Sequence, residues 1–243
     1  MYYNYNILKD TPMELRNKWT IIVTFLLLTN VYGSEDSLYN FNWLDDDETV
    51  YVIQNKEYPT EGRVEFNLAL SDSDHTPYQS SIAYTGGLAY YVTETFSFDI
   101  MYRSYANSNN NEFESLTGTT EKKPLLRIVD TSTFFHLNYL PFYGKINTLN
   151  KIFYFYWGIG IGVGQFDTRA NYPTFTDPNK PVTYISESIV GYNTKTYFKF
   201  FLAKNWNFGL ELDIFYFNAI ADAEGNEDLT IYNDISLNFG YLF

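Results

Sequence analysis

Apolar and polar residues alternate with a period of two along most of the chain, from Arg63 to the last residue. The clearest stretch is 151–165, where large apolar residues alternate first with tyrosine and then with glycine. This alternation is typical of a β-strand with two different faces. Because each interior glycine would cost a helix roughly 1 kcal/mol, we predict a strand whose glycine face meets a closely packed lumen or a sharply curved sheet.

Eight segments share this alternation. The predicted strands are 61–71, 79–92, 95–106, 127–140, 150–167, 182–203, 205–219 and 228–243. Two-residue turns join the second strand to the third and the sixth to the seventh. The longer polar connections are 107–126, 168–181 and 220–227, and one longer connection, Pro141–Leu149, is predicted on the short-turn side. Short turns on one side and long polar loops on the other are typical of an outer-membrane barrel.

The predicted strands are long enough to cross a bilayer, which takes about 9 to 11 residues when a strand is tilted. A closed sheet pairs every backbone donor and acceptor, which an open sheet in lipid cannot do. We therefore expect an all-β fold, a closed antiparallel up-and-down transmembrane β-barrel of about eight strands, over residues 61–243. The alternative is a soluble secreted β-sandwich or lipocalin-like barrel with the apolar face turned inward.

The chain ends on an aromatic residue in the apolar register. Phe239, Tyr241 and Phe243 alternate with polar or small residues and are predicted to form a C-terminal assembly signal for the barrel-assembly machinery. This ending and the unequal loops favour an outer-membrane barrel with both termini in the periplasm over the soluble alternative.

Residues 1–33 have the layout of a signal peptide. A basic region precedes the apolar run Trp19–Leu28, which is much shorter than the roughly 20 residues that a spanning helix needs, so a membrane anchor is the weaker alternative. Met13 is a candidate for the true start. Residues 34–60 follow as an acidic segment that we expect in the periplasm, ahead of the barrel.

Charge and composition exclude several classes of function. The chain has sixteen Lys plus Arg against twenty-nine Asp plus Glu, a formal charge of -13, so a nucleic-acid partner is not expected. It has no cysteine, which excludes disulfide scaffolds, thiolate metal sites and cysteine nucleophiles. Aromatic residues make up 20% of the chain, and the alternation places many of them on the face predicted to meet lipid.

An eight-stranded barrel has an interior that side chains nearly fill, so a wide diffusion pore is disfavoured. The polar faces of the strands instead predict a lumen filled by a polar network. Its predicted members are Arg63, Glu65, His136, Asn138, Lys199, Glu211 and Asp213. Ion pairs that hold the barrel together are the favoured interpretation of this set, and a narrow ion or proton path is the alternative.

The sequence offers little for catalysis. His75 lies in a predicted acidic external loop. A solvated loop residue is the favoured interpretation of this histidine, and a protease-like site of a carboxylate and a histidine is the alternative. His136 and Asn138 share a strand face, as a His and Ser pair does in lipid A deacylases, but asparagine removes the acyl-enzyme chemistry. Residues 222–228 alternate carboxylate and amide oxygens without the geometry of a twelve-residue calcium loop. We expect no catalytic residue, metal or cofactor.

Four short motifs carry a resemblance to a known family. They are VYVIQNK at Val50–Lys56, GRVEF at Gly62–Phe66, LPFYGK at Leu140–Lys145 and YFYWGIGIGV at Tyr154–Val163. Together they resemble the small outer-membrane β-barrel family of predatory and gliding proteobacteria, with similarity over residues 43–243. The most specific element is Pro141, Tyr143, Gly144 and Lys145. Asn55 stands where a second basic residue is expected. The resemblance implies the fold and the compartment but little about activity.

The expected function is that of a non-catalytic integral outer-membrane barrel, a structural or docking component of the cell envelope. It would anchor a surface lipoprotein, an adhesin, or a motility or predation complex. A porin-like narrow channel is the alternative, and an envelope enzyme that modifies lipid or peptide is less favoured. The expected partners are outer-membrane lipids, the barrel-assembly machinery and a surface or periplasmic protein.

Overall fold

The computed structural model describes residues 56–120, 124–148, 151–172, 182–220 and 226–243. Within these residues, eight antiparallel strands form a closed barrel in which each strand pairs with its neighbours in sequence and β1 closes against β8. The strands are β1 (Val64–Asp74), β2 (Gln79–Tyr91), β3 (Phe96–Asn109), β4 (Arg127–Thr148), β5 (Lys151–Ala170), β6 (Ile185–Phe201), β7 (Trp206–Ile220) and β8 (Glu227–Leu242). The predicted fold class is confirmed.

The two faces of the barrel wall differ in polarity, and the polar face points inward. On β8, Leu237 is 61% exposed on the outside whereas Asp234 is 0% exposed on the inside. On β1, Phe66 and Leu68 lie outside, and Glu65 and Asn67 are buried. A soluble barrel would bury the leucines and expose the carboxylates. This distribution instead suits a wall surrounded by lipid.

The two ends of the barrel are built differently. The start of β1, the end of β8 and the short turns after Tyr91 and Phe201 lie at one end, which we call the terminal end. The connections after β1, β3, β5 and β7 lie at the other, which we call the loop end. The predicted signal peptide 1–33 and the acidic segment up to residue 55 fall outside the described residues.

The prediction of a connection at Pro141–Leu149 is wrong for most of that range, because β4 continues to Thr148. The register of the pairing with β5 shifts between Tyr139 and Phe142 and then resumes. Proline has no N–H to donate, so it is tolerated at such an irregularity. Pairing of β3 with β4 ends at Tyr139, and the extension therefore pairs only with β5.

The connection between β3 and β4 contains a helix that the sequence pattern did not predict, α1 (Asn111–Thr120). The side-chain oxygen of Asn110 accepts the backbone N–H of Phe113 at 3.1 Å, as a helix N-cap does. The amide nitrogen of Asn110 donates to the carbonyl of Pro77 at 2.7 Å and so attaches the helix to the turn after β1. In the described part of the chain, no helix is both long enough and apolar enough to cross a membrane.

Candidate functional site

Apolar clusters occupy the lumen at both ends of the barrel. The terminal apolar layer consists of Ala89, Tyr91, Leu140, Tyr156, Phe201 and Leu242. The loop apolar layer consists of Ala83, Tyr105, Val129, Phe134, Phe166, Phe215, Phe217, Ala219 and Tyr232. Between these two layers lies a network of buried charged and polar side chains, which is the candidate functional site.

The centre of the network is the carboxylate of Asp99 on β3. One of its oxygens lies 2.7 Å from Nδ1 of His136. The other accepts hydrogen bonds from Nδ2 of Asn138 and from the ammonium of Lys195, both at 2.7 Å. All four side chains are buried. Asp99 is therefore held by three partners from two other strands, which fixes its position in the lumen.

A second group of contacts surrounds Arg103, which is 2% exposed. Its guanidinium lies 2.5 Å from Asp213, 3.3 Å from Glu211 and 3.8 Å from Asp234. It also lies over the ring of Phe215, at 5.0 Å from the ring centroid. One cation therefore holds together carboxylates from two strands on the opposite wall.

A third group lies nearest the terminal apolar layer. The ammonium of Lys199 donates to Glu65 at 2.6 Å, and the hydroxyl of Tyr91 donates to the other oxygen of that carboxylate at 2.7 Å. The ring of Tyr197 separates this group from the centre, with the ammonium of Lys195 at 5.5 Å from its centroid and that of Lys199 at 5.4 Å. The charged groups thus form a stack along the lumen.

His75 extends this stack towards the loop end. Its Nε2 lies 3.4 Å from Asp234, and its ring packs against those of Tyr105 and Tyr232 at 4.7 and 4.6 Å. The prediction of a solvated loop residue is therefore wrong. His75 continues the inward register of β1 one position beyond the end of the strand, and this register carries it into the lumen.

The glycines at 158–164 leave the inner face of β5 free for side chains of the neighbouring strands. A Cβ atom added at Gly162 would overlap the imidazole of His136, and one added at Gly160 would overlap the amide oxygen of Asn138. The side chains of β4 and β6 therefore lie directly on the backbone of β5. The predicted close packing against this face is confirmed.

The prediction that Arg63 belongs to the lumen network is wrong. Arg63 precedes β1, just after the turn at Gly62, whose φ is 74°. Its guanidinium donates to the carbonyl oxygens of Leu242 at 2.9 Å and Phe243 at 3.0 Å. Because β1 has not yet begun at Arg63, the period-two pattern does not fix the direction of this side chain. Its hydrogen bonds instead connect the residue before β1 to the end of β8.

The other predicted lumen residues all lie inside the barrel and are buried: Glu65, His136, Asn138, Lys199, Glu211 and Asp213. The sequence prediction omitted Asp99, Arg103, Lys195 and Asp234, which supply most of the ion pairs. A signal for Asp99 and Arg103 was present, since they alternate with Phe98, Ile100 and Tyr102 along β3.

The remaining predicted residues lie at the terminal end. Phe239 and Phe243 are 46% and 69% exposed on the outer surface. There the ring of Trp206 contacts those of Phe239 and Tyr241 at 5.1 and 4.6 Å. Of the four residues that carry the resemblance most specifically, Tyr143, Gly144 and Lys145 lie in the extended hairpin of β4 and β5, and Pro141 lies at the register shift.

A strap formed by residues 56–63 crosses the terminal end and is fixed to the turn after β2. The carboxylate of Glu94 accepts the backbone N–H groups of Thr60 and Glu61, both at 2.9 Å, and the ammonium of Lys56 at 3.0 Å. Partial burial alone would raise the pKa of Glu94, but these donors outweigh it and hold that pKa below its ordinary value. Tyr58 of the strap stacks on Phe201 at 4.6 Å.

The chemistry available in this site is ion pairing. In the described residues, the five buried carboxylates of Glu65, Asp99, Glu211, Asp213 and Asp234 lie with the cations of Arg103, Lys195 and Lys199, and a fourth buried cation, Arg127, pairs with Glu187 instead. His136 contacts the carboxylate of Asp99, whose other oxygen accepts Nδ2 of Asn138, and the position that a serine would need is occupied by this asparagine. No group of three or more His, Cys, Asp or Glu in the described residues is arranged to hold a metal ion. Asp222 and Glu224 of the calcium-like segment fall outside those residues.

Comparison with solved structures finds barrels of low sequence identity. The N-terminal β-barrel domain of Pseudomonas aeruginosa OprF is 13% identical, covers 75% of this chain and 98% of its own, and has a TM-score of 0.45. Neisserial surface protein A is 8% identical, covers 74% and 96%, and has a TM-score of 0.44. OprG from Pseudomonas aeruginosa is 9% identical, covers 76% and 97%, and has a TM-score of 0.38.

No protein-family model matches the chain, and no curated protein is significantly similar to it. Structural similarities at this level indicate nothing about what the chain binds or does.

Proposed function

We propose that the chain is a non-catalytic integral outer-membrane barrel that serves as a structural or docking component of the cell envelope. Both termini would lie in the periplasm and the loop end would face outward. The observation that carries the proposal is the filled lumen, in which paired charges lie between two apolar layers. Such a lumen supports the wall of the barrel and leaves the outer surface and the ends as the parts that can meet partners.

The contacts of the network argue against ion conduction. A permeating ion would have to displace a cation such as Arg103, which contacts three carboxylates, or Lys195, which contacts two. Breaking a buried ion pair by removing one partner costs about 3–5 kcal/mol, because the remaining charge is left uncompensated. The ion would then meet the apolar layers, which offer it little solvation.

The outer surface supports placement in a bilayer. Large apolar side chains are exposed on strands from both sides of the barrel, including Leu68 at 52%, Ile161 at 64% and Leu237 at 61%. At about 25 cal/mol per Å² of apolar surface removed from water, lipid contact along such a wall favours insertion strongly. The lipids of the membrane are therefore the first proposed partners of this surface.

The loop end is the proposed docking surface. Its described exposed residues include the acidic Asp72, Asp74, Glu112, Glu114 and Glu227, together with Arg169, which is paired with Asp130. The terminal end carries exposed lysines at 145, 151 and 204 beside the exposed Glu57 and Glu61 of the strap, so its charge is mixed. An acidic loop end would attract a cationic face of a surface protein and would do so less at high salt.

Planar-bilayer recording tests the absence of a channel. Protein that shifts its gel mobility on boiling, and is therefore folded, should give no stepwise conductance after reconstitution. Stable single-channel steps that scale with the amount of protein would refute the proposed filled lumen and would support a narrow channel.

Site-specific crosslinking in intact envelopes tests the docking role. A photoreactive residue at Glu114, on the loop end, should give a discrete protein adduct, whereas the same residue at Lys151, on the terminal end, serves as the matched control. Adducts at Lys151 alone would place the contact at the terminal end. The absence of a protein adduct at Glu114 and at other loop-end positions would contradict the docking role.

A further inference from the structure

Three asparagines on adjacent strands face the lumen beside the terminal apolar layer, and Asn207 pairs directly with Phe201 of that layer. They are Asn207 on β7, Asn238 on β8 and Asn67 on β1, with exposed fractions of 0%, 6% and 5%. Within the described part of the chain, the side-chain oxygens of Asn67 and Asn238 have no hydrogen-bond partner, and neither does either polar atom of Asn207. The ion pairs of the lumen network therefore leave these amides unsatisfied.

Gly240 lies between two of these asparagines. It pairs directly with Asn67 on one side and with Asn207 on the other. A Cβ atom at Gly240 would lie 2.5 Å from Oδ1 of Asn207, 2.7 Å from Oε1 of Glu65 and 2.8 Å from Oδ1 of Asn67. Three oxygens thus converge on the space that the missing side chain leaves, and we call Asn67, Asn207, Asn238 and Gly240 the amide cradle.

Small residues flank the cradle. Asn238 pairs with Ala69 on β1 and with Gly209 on β7, and the side chain of Lys199 covers Gly209, with its Cγ 3.2 Å from where a Cβ atom would lie. The space left for a small polar molecule is therefore the one over Gly240, on which the three oxygens converge. A buried water typically makes two to four hydrogen bonds to protein groups, and the cradle offers that number of free polar atoms.

The hydrogen-bonding needs of the unsatisfied atoms indicate whether the cradle binds water or a metal cation. The free oxygens need a hydrogen-bond donor or a cation, but Nδ2 of Asn207 needs an acceptor, which a cation is not. The ammonium of Lys199 already contacts Oε1 of Glu65 at 2.6 Å, so a second cation beside that oxygen would be repelled. Water both donates and accepts hydrogen bonds.

We propose that the amide cradle is an internal binding site for ordered water, which satisfies the three asparagines and hydrates the ion pair of Glu65 with Lys199. Tyr91 and Leu242, which are 1% and 0% exposed, separate the cradle from the terminal end and keep this water inside the barrel. Hydration on one side lowers the desolvation cost of the buried ion pair without opening a path for ions.

Magnetisation transfer from water to asparagine side-chain amide protons tests the site in the folded, micelle-bound full chain. We expect transfer to Asn67, Asn207 and Asn238. Asn171 is the internal control, because it is 2% exposed and its oxygen and nitrogen both have backbone partners, at 2.7 and 2.9 Å. Transfer to the cradle amides no stronger than to Asn171 would overturn the proposal.

Two variants test whether the magnetisation transfer arises from water in the amide cradle. Gly240→Ala places a methyl group where the oxygens converge and should reduce transfer to the cradle amides to the level of Asn171. Gly191→Ala, whose methyl group would contact Phe166 instead, should leave it unchanged. If Gly240→Ala does not fold, Asn207→Leu should reduce transfer to the other two amides, and unchanged transfer would refute the site. Amide signals that shift on sodium titration would identify a cation and also overturn the proposal.

Discussion

Replacing Arg103 by methionine would remove the guanidinium that contacts Glu211, Asp213 and Asp234 while keeping a side chain of similar reach. All three carboxylates are 0–2% exposed at the side chain, so water cannot replace the lost charge. Removing one partner of a buried ion pair costs about 3–5 kcal/mol. Lys195, at 3.8 Å from Glu211, compensates only part of the remaining charge, so we expect a loss within that range.

Urea unfolding of the barrel in phospholipid vesicles measures this loss as a change in the free energy of unfolding. The matched control is Arg169→Met. Arg169 makes a two-pronged ion pair with Asp130, at 2.6 Å for both contacts, but the two side chains are 47% and 36% exposed. An exposed pair of this kind contributes about 0–1 kcal/mol, so the control should unfold almost as the parent does.

A second substitution tests whether uncompensated charge is the cause. Adding Asp213→Asn to Arg103→Met removes one of the stranded carboxylates and should recover part of the lost stability. If Arg103→Met costs no more than Arg169→Met, the lumen ion pairs do not hold the barrel together, and the argument for a structural network is refuted. If the double variant is less stable than the single one, lost packing rather than charge is responsible.

Three further predictions use the same unfolding assay. Gly162→Ala should destabilise the barrel by about 1–3 kcal/mol, because the added methyl group would overlap the ring of His136. Gly86→Ala, on the open outer face, is the control and should leave the stability unchanged. Equal effects of the two substitutions would contradict the close packing. Leu237→Arg should cost about 2–4 kcal/mol if this exposed residue meets the middle of a bilayer, and a neutral result would argue against lipid contact. The pKa of Glu94 is lowered in the folded state, so the ionised side chain contributes stability above the unfolded pKa, and this stability is lost as the pH falls through the folded pKa. The difference in the free energy of unfolding between the parent and Glu94→Gln should therefore shrink on acidification. A difference that grew would refute this sign.

The alternation of residues was sufficient to predict the closed barrel and the orientation of most side chains. Period two fixes which residues share a face, and the predicted lumen positions on β4, β6 and β7 are buried for this reason. It does not fix which side chains meet across the lumen. Asp99 and Lys195 are 96 positions apart in the chain, and their contact depends on the closure and stagger of the whole barrel.

The wrong predictions occur where a local signal competes with tertiary structure. Pro141 ordinarily ends a strand, but a register shift absorbs it and β5 continues to pair with β4. Helix α1 has few apolar residues and is attached through Asn110 to a carbonyl of another turn, a contact that the local pattern does not contain. His75 follows the end of β1, and its burial depends on rings supplied by β3 and β8.

The glycine face of β5 connects the sequence pattern to the proposed function. A soluble barrel would fill that face with large apolar side chains, because its core has to be apolar. Here the glycines contribute almost no volume, and the space above them is taken by His136 and Asn138 from β4 and by Tyr197 from β6. Polar groups from the adjacent strands therefore reach the centre of the lumen and fill it, while the outward residues of β5, such as Ile161, remain large and apolar. The same strand thus helps to close the lumen on one face and contributes to the apolar outer surface, the proposed lipid contact, on the other.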